Sequence, residues 1–93
     1  MRMEDLRNAG VERLFADMEE HMSAGKHYKE SEPVLDTWFN NSNISLAAFA
    51  TMVESDAEIA AELEGRHPGL SQYFAQATRY YETDQKLKGL RCI

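Results

Sequence analysis

The chain has 93 residues, 43% of them hydrophobic and 28% charged, with 16 acids against 10 Lys and Arg and a net charge of −6. That length holds one domain, residues 1–93, and an apolar share this ordinary excludes global disorder. The acidic balance argues against non-specific nucleic-acid binding, because each phosphate contact normally calls for a Lys or Arg.

The opening stretch MRMEDLRNAG places two carboxylates where a signal peptide needs its apolar core. From Glu4 to about Ala24, Met3, Val11, Leu14, Phe15, Met18 and Met22 recur at three- and four-residue spacing, with charged residues opposite. The pattern predicts one long amphipathic helix, closed by Gly25 as a left-handed cap. A loop, KHYKES, follows. Ser31 is then placed as the N-cap of a short helix with Pro33 in its first turn, carrying Val34, Leu35, Trp38 and Phe39 on one side. The run NNSN, Asn40 to Asn43, ends it.

Asn43 or Ser45 can cap a third helix running to about Val53. Ser55-Asp56-Ala57-Glu58 has the spacing of a capping box that would open a fourth, closed by Gly65. After the turn RHPG, a last long helix is expected from about Leu70 to Lys88, ending at Gly89. At ~100° per residue its apolar positions Leu70, Tyr73, Phe74, Ala77, Tyr80, Tyr81 and Leu87 span about 140°, wide enough for packing against two neighbours, the first helix and the Trp38 helix. Asp84 falls inside that arc, so it either marks where the arc leaves the core or is paired with a Tyr hydroxyl or an Arg. Cys92 is the single cysteine and can form no internal disulfide. No apolar run approaches the ~18 residues of a membrane span. The expectation is an all-α, compact single-domain bundle of about five helices, two long terminal ones flanking three short ones, in a cytoplasmic protein.

The third and fourth helices have the outline of a helix–turn–helix, but from Leu46 to Gly65 there is no Lys, Arg, Asn or Gln and there are five carboxylates. A reading helix presents donors to phosphates and base edges, and this one would be repelled. A degenerate helix–turn–helix regulator is therefore only a third reading, and direct nucleic-acid binding is not expected. Like charges four apart at Glu54, Glu58 and Glu62 cost a helix a few tenths of a kcal/mol per pair. These residues suit either a solvated face or a docking ridge for a basic surface. Charge polarity along the chain also permits head-to-tail self-association.

Metal binding has little to build on: Asp17 and His21 are one turn apart, His27 and Glu30 follow, and no second Glu-x-x-His lies on a regular helix. There is no phosphate loop, nucleophile elbow or Cys/His arrangement, so neither catalysis nor a cofactor is expected. The reading that results is a small acidic non-enzymatic interaction protein, an adaptor, inhibitor or regulatory subunit. It would dock a partner protein with a basic surface through Glu54, Glu58 and Glu62, with an aromatic contact from Tyr80 or Tyr81. In size and charge it resembles single-domain inhibitors of phages and mobile elements. The alternative is a helical pocket for an apolar small molecule, lined by Trp38, Phe39, Tyr73 and Phe74.

Overall fold

Gly10 decides how the chain begins. It adopts φ 84°, ψ 26°, a left-handed conformation that costs other residues about 1–2 kcal/mol. The expected long helix is therefore two: α1 (Met3–Asn8) and α2 (Val11–Ser23). Leu6 supplies the physical reason. On an unbroken helix it would stand about 120° from Met18 at ~100° per residue, off the apolar stripe. With the break, Met3 and Leu6 fold back and both are buried.

Residues 3–91 are described in the structure, a computed structural model; Cys92 lies outside them. After α2 come a one-turn 3-10 segment (Tyr28–Ser31), α3 (Glu32–Asn40), α4 (Leu46–Ser55), α5 (Ala57–Arg66) and α6 (Leu70–Arg91), with no strand among the described residues. The all-α class stands, with six helices among the described residues, of which the C-terminal one, at 22 residues, is much the longest. The radius of gyration, 12.7 Å, is close to the ~12 Å of a compact domain of this length.

Helix ends follow local chemistry, though not always at the expected residue. Gly25 takes φ 75° and Lys26 N–H reaches back to His21 O at 3.1 Å, a Schellman-type close of α2. Ser31 holds the N-cap position of α3, with Pro33 in its first turn, but its side chain makes no capping bond; it is buried and turned inward, and a side-chain capping box stands one turn upstream, on the 3-10 segment. There the His27 ring accepts from Lys29 N–H at 3.3 Å, while His27 N–H donates to Glu30 at 2.8 Å. Ser45 caps α4, accepting from Ala48 N–H.

α4 runs two residues past Val53, and Ser55 ends it by donating its hydroxyl to Thr51 O at 2.7 Å. Asp56, not Ser55, opens α5, accepting from Glu58 and Ile59 N–H at 2.8 and 3.3 Å. A carboxylate next to the serine wins the cap, because it is the stronger acceptor and favours the positive end of the helix dipole. Gly65 stays helical and α5 runs on to Arg66; Gly89 likewise lies within α6.

The core is an aromatic row. Phe15 meets Phe74 edge-on at 5.5 Å, Phe74 meets Phe49 at 5.8 Å, and Phe49 touches both Trp38 and Phe39. Phe39 then stacks on Tyr81 at 5.6 Å. Through this row α6 packs not on two neighbours but on α2, α3, α4, α5 and the 3-10 segment. That accounts for the breadth of its apolar arc.

Candidate interaction surface

The acidic stretch from Glu54 to Glu64 is mostly engaged within the chain. Glu54 is ion-paired with Arg79 on α6, which also holds Glu82 at 2.7 Å. Glu62 lies 3.6 Å from Arg66 and 3.7 Å from Arg7, and Glu12 of α2 joins both arginines. Glu64 reaches past its own helix to the start of α6, accepting from Gly69 N–H at 3.3 Å and Ser71 N–H at 3.1 Å. Those amide bonds, Ser71's first, lower its pKa from the usual carboxylate value. Asp56 is spent on the α5 cap.

That leaves Glu58, exposed and without an ion pair among the described residues. Glu4 and Glu20, exposed, and Glu19, half-buried, likewise lack an ion pair on α1 and α2, and the exposed Glu30 holds only the His27 amide. The unbalanced negative charge is therefore scattered rather than gathered into a ridge of Glu54, Glu58 and Glu62. Arg79 is further stabilised as a cation by Glu54 and then Glu82, which raise its pKa.

Tyr80 and Tyr81, adjacent in sequence, part company. Tyr81 is buried at 4% exposure, stacked on Phe39, with its hydroxyl donating to Asp36 of α3 at 2.9 Å. Burial first, and then the bond to Asp36, push its pKa up to about 12. It belongs to the core and is not available as a surface contact. Tyr80 is half-exposed, edge-on to Tyr28 at 6.1 Å, with Lys29 Nζ 5.5 Å from its ring centre. His27 in turn lies against Tyr28 at 4.2 Å. Tyr28 and Tyr80 line a shallow depression of about 330 Å³ with Gln76, Arg79 and Thr83. Tyr28 was absent from the sequence-based site because only the 3-10 turn brings it to α6.

Asp84 also proves to be paired. Lys88 Nζ is 3.0 Å from Asp84 and 3.3 Å from Glu32 at the start of α3. A hydrogen bond between Glu32 and Asp84, and secondarily burial, raise the Glu32 pKa. Lys88 moves up in response to the same two carboxylates, Asp84 first. The cluster pins α3 to the far end of α6, next to the Asp36–Tyr81 bond.

The four residues of the expected aromatic pocket do not converge. Phe74 is fully buried between Phe15 and Phe49, and Phe39 lies between Phe49 and Tyr81. Tyr73 turns to the opposite side, donating to Lys26 O at 2.9 Å and lying 3.3 Å from Ser31 Oγ. Trp38 borders a groove of about 480 Å³ between α2 and α3, which the other three do not line and which also touches Leu14, Pro33, Val34 and the Arg13–Asp17 pair. The indole N–H of Trp38 is buried without a hydrogen-bond partner.

The histidines separate too. His21 Nδ1 lies 3.5 Å from Ser31 Oγ, His27 sits in the capping box, and His67 Nδ1 is 2.9 Å from Pro68 O. Among the described residues no three metal-ligating side chains come together. The α4–α5 junction is a single extended residue, Asp56, shorter than the 3–4-residue turn of a DNA-reading pair. No helix is long and apolar enough to cross a membrane, among the described residues. No protein-family profile, curated protein or solved structure matches the chain.

Proposed function

We propose that this chain is a non-enzymatic interaction module, an adaptor, inhibitor or regulatory subunit, that docks a protein partner through the face around Tyr80. The observation that carries the reading is the edge-on Tyr28–Tyr80 pair, half-exposed at a shallow depression beside Arg79. Tyr and Arg dominate binding energy at protein interfaces, and rings held at their edges lose little freedom on docking. Arg79 joins this face to Glu54 on α4. One carboxylate of the expected ridge is thus contiguous with the aromatic contact.

The test is capture from a lysate of the source cells, comparing the wild-type chain with Tyr80→Ala and with Arg13→Ala, a charge change on α2 away from this face. A stoichiometric partner kept by Arg13→Ala and lost by Tyr80→Ala supports the reading. Retention by Tyr80→Ala at full stoichiometry rules the face out.

A second reading rests on the α2–α3 groove. Its volume falls within the range of small-ligand pockets, and the unpartnered Trp38 indole N–H lies in its wall residue. An apolar dye such as anilinonaphthalene sulfonate should then quench or shift Trp38 fluorescence saturably, and Val34→Phe, which fills the groove without adding a second indole, should block it. An unchanged spectrum would remove this reading and leave the first intact.

A further inference from the structure

Six Lys and Arg side chains, Arg7, Arg13, Arg66, Arg79, Lys86 and Lys88, have a carboxylate partner within 3.8 Å. Among the described side chains the two without one are Lys26 and Lys29, both exposed and only three residues apart. They flank His27 and Tyr28 on the segment that packs along α6, tied there by the Tyr73 hydroxyl on Lys26 O and by the Tyr28–Tyr80 contact. The nearest acid in sequence, Glu30, is occupied with the His27 amide, and Arg79 holds Glu54 and Glu82. In a chain of net charge −6, these two cations without an ion pair bracket the His27–Tyr28 step: Lys29 Nζ lies over the Tyr80 ring, whereas Lys26 lines a separate depression with Asp17, Glu20 and His21.

From this charge complementarity we infer that the Lys26–Lys29 segment and Tyr80 together bind an acidic peptide segment, anchored by one aromatic side chain. The proposal rests on the docking face proposed above and gives its partner a chemistry. The partner's aromatic residue lies in the depression between Tyr28 and Tyr80, where aromatic rings meet edge-on or offset. Its carboxylates draw Lys29 away from the Tyr80 ring and engage Lys26. A nucleic acid fits less well. Backbone binding draws on a row of phosphate contacts, and two free lysines on an acidic chain supply little of that.

The probes are a capped Glu-Glu-Asp-Trp-Glu-Glu peptide, its charge-reversed Lys-Lys-Arg-Trp-Lys-Lys counterpart, and a short oligothymidylate, each titrated into the ¹⁵N-labelled full chain. The acidic peptide should shift the Lys26, Tyr28, Lys29 and Tyr80 amides saturably. Its affinity should fall about tenfold in the Lys26→Glu, Lys29→Glu double variant and weaken with salt, as charge-steered contacts do. Stronger shifts of the same amides by the basic peptide or by oligothymidylate overturn the proposal, as does the absence of saturable shifts with the acidic one.

The captured natural partner separates this proposal from its premise. A partner lost by both Tyr80→Ala and the double Lys variant supports both. One lost by Tyr80→Ala but kept by the Lys variant overturns the acidic-segment inference alone. One kept by Tyr80→Ala overturns the docking face itself.

Discussion

Residues 54–64 carry five carboxylates, and four of them are committed within the chain: Glu54 to Arg79, Asp56 to its helix end, Glu62 to Arg7 and Arg66, and Glu64 to the first amides of α6. Lys26 and Lys29 stand on a shorter and less conspicuous segment, and no carboxylate meets them among the described residues. The dense stretch turns out structural, and the sparse one is left facing solvent. Charge counted along a sequence measures what a surface carries; what it has left for a partner depends on which charges the fold brings together. An ion pair on the surface contributes only about 0–1 kcal/mol to folding, yet each one withdraws two groups from recognition.

The contrast can be broken most visibly at the adjoining tyrosines. Tyr81→Phe removes the hydroxyl that bonds Asp36 and leaves a buried ring in place, at a cost of about 1.5 kcal/mol by chemical denaturation. It should also change the alkaline limb. The Tyr81 pKa is raised from 10.0 to about 12 in the fold, so the stability it lends is complete below about pH 10 and is lost as pH climbs toward 12. The variant should lose that part of the alkaline decline. Tyr80→Phe, at the half-exposed position, should leave both the midpoint and the pH profile within error.

Next in size is Asp56→Ala, expected to cost about 1 kcal/mol as a lost N-cap. Ser55→Ala, by contrast, should cost less than about 0.5 kcal/mol, as at an ordinary surface position. If the two effects were reversed, the capping box read from the sequence would be right and the Asp56 cap wrong. Thermal or urea unfolding of the two variants decides it.

What was legible in the sequence follows the same division. Periodicity located α2, α3, α4, α5 and α6, because it reports a property of each helix alone. Gly25 and Ser45 were legible as caps for the same reason: each acts on amides or carbonyls within a few residues. Gly10 falls inside the single helix predicted from Glu4 to Ala24, since a glycine inside an apolar pattern carries no sign of φ, and the burial of Leu6 explains the break. Ser31 stands at the N-cap position its sequence predicts, but its hydroxyl is drawn from the helix amides by partners the pattern does not show, His21 and Tyr73, 10 and 42 residues away. The candidate site suffered most. Whether Tyr80 or Tyr81 faces out depends on Phe39 and Asp36, and Tyr28 joins the site only through contact with α6. Thr78 and Glu82 are buried on that helix without any prior sign in the pattern.

Glu64→Gln tests the structural side of the comparison at lower amplitude. The carboxylate's pKa is lowered by the Ser71 and Gly69 amides, so its contribution is present above the ordinary value of 4.5 and is lost as pH falls through the depressed one. The variant should be slightly less stable at neutral pH and should show a shallower acid decline. The difference from the wild type in melting curves should be smaller at pH 3 than at pH 7. A difference that persists unchanged at pH 3 would mean that the bond to α6 does not depend on charge.

The smallest effect is expected on the other side, and its smallness is what carries the argument. The double variant Lys26→Glu, Lys29→Glu reverses two charges that have no carboxylate partner, so no ion pair is broken. Lys29 above Tyr80 is an exposed cation–π interaction of about 0.5–1 kcal/mol. Added repulsion in an already acidic chain is screened over about 10 Å at 0.1 M salt. Unfolding free energy should therefore fall by no more than about 1 kcal/mol, with less of a change at higher salt. The corresponding reversal at Glu54 and Glu62 breaks ion pairs to Arg79, Arg66 and Arg7 and should lower stability more. Equal losses from the two double variants would mean that the lysines are structural after all, and the distinction between committed and uncommitted charge would fail at the point where it assigns the docking face.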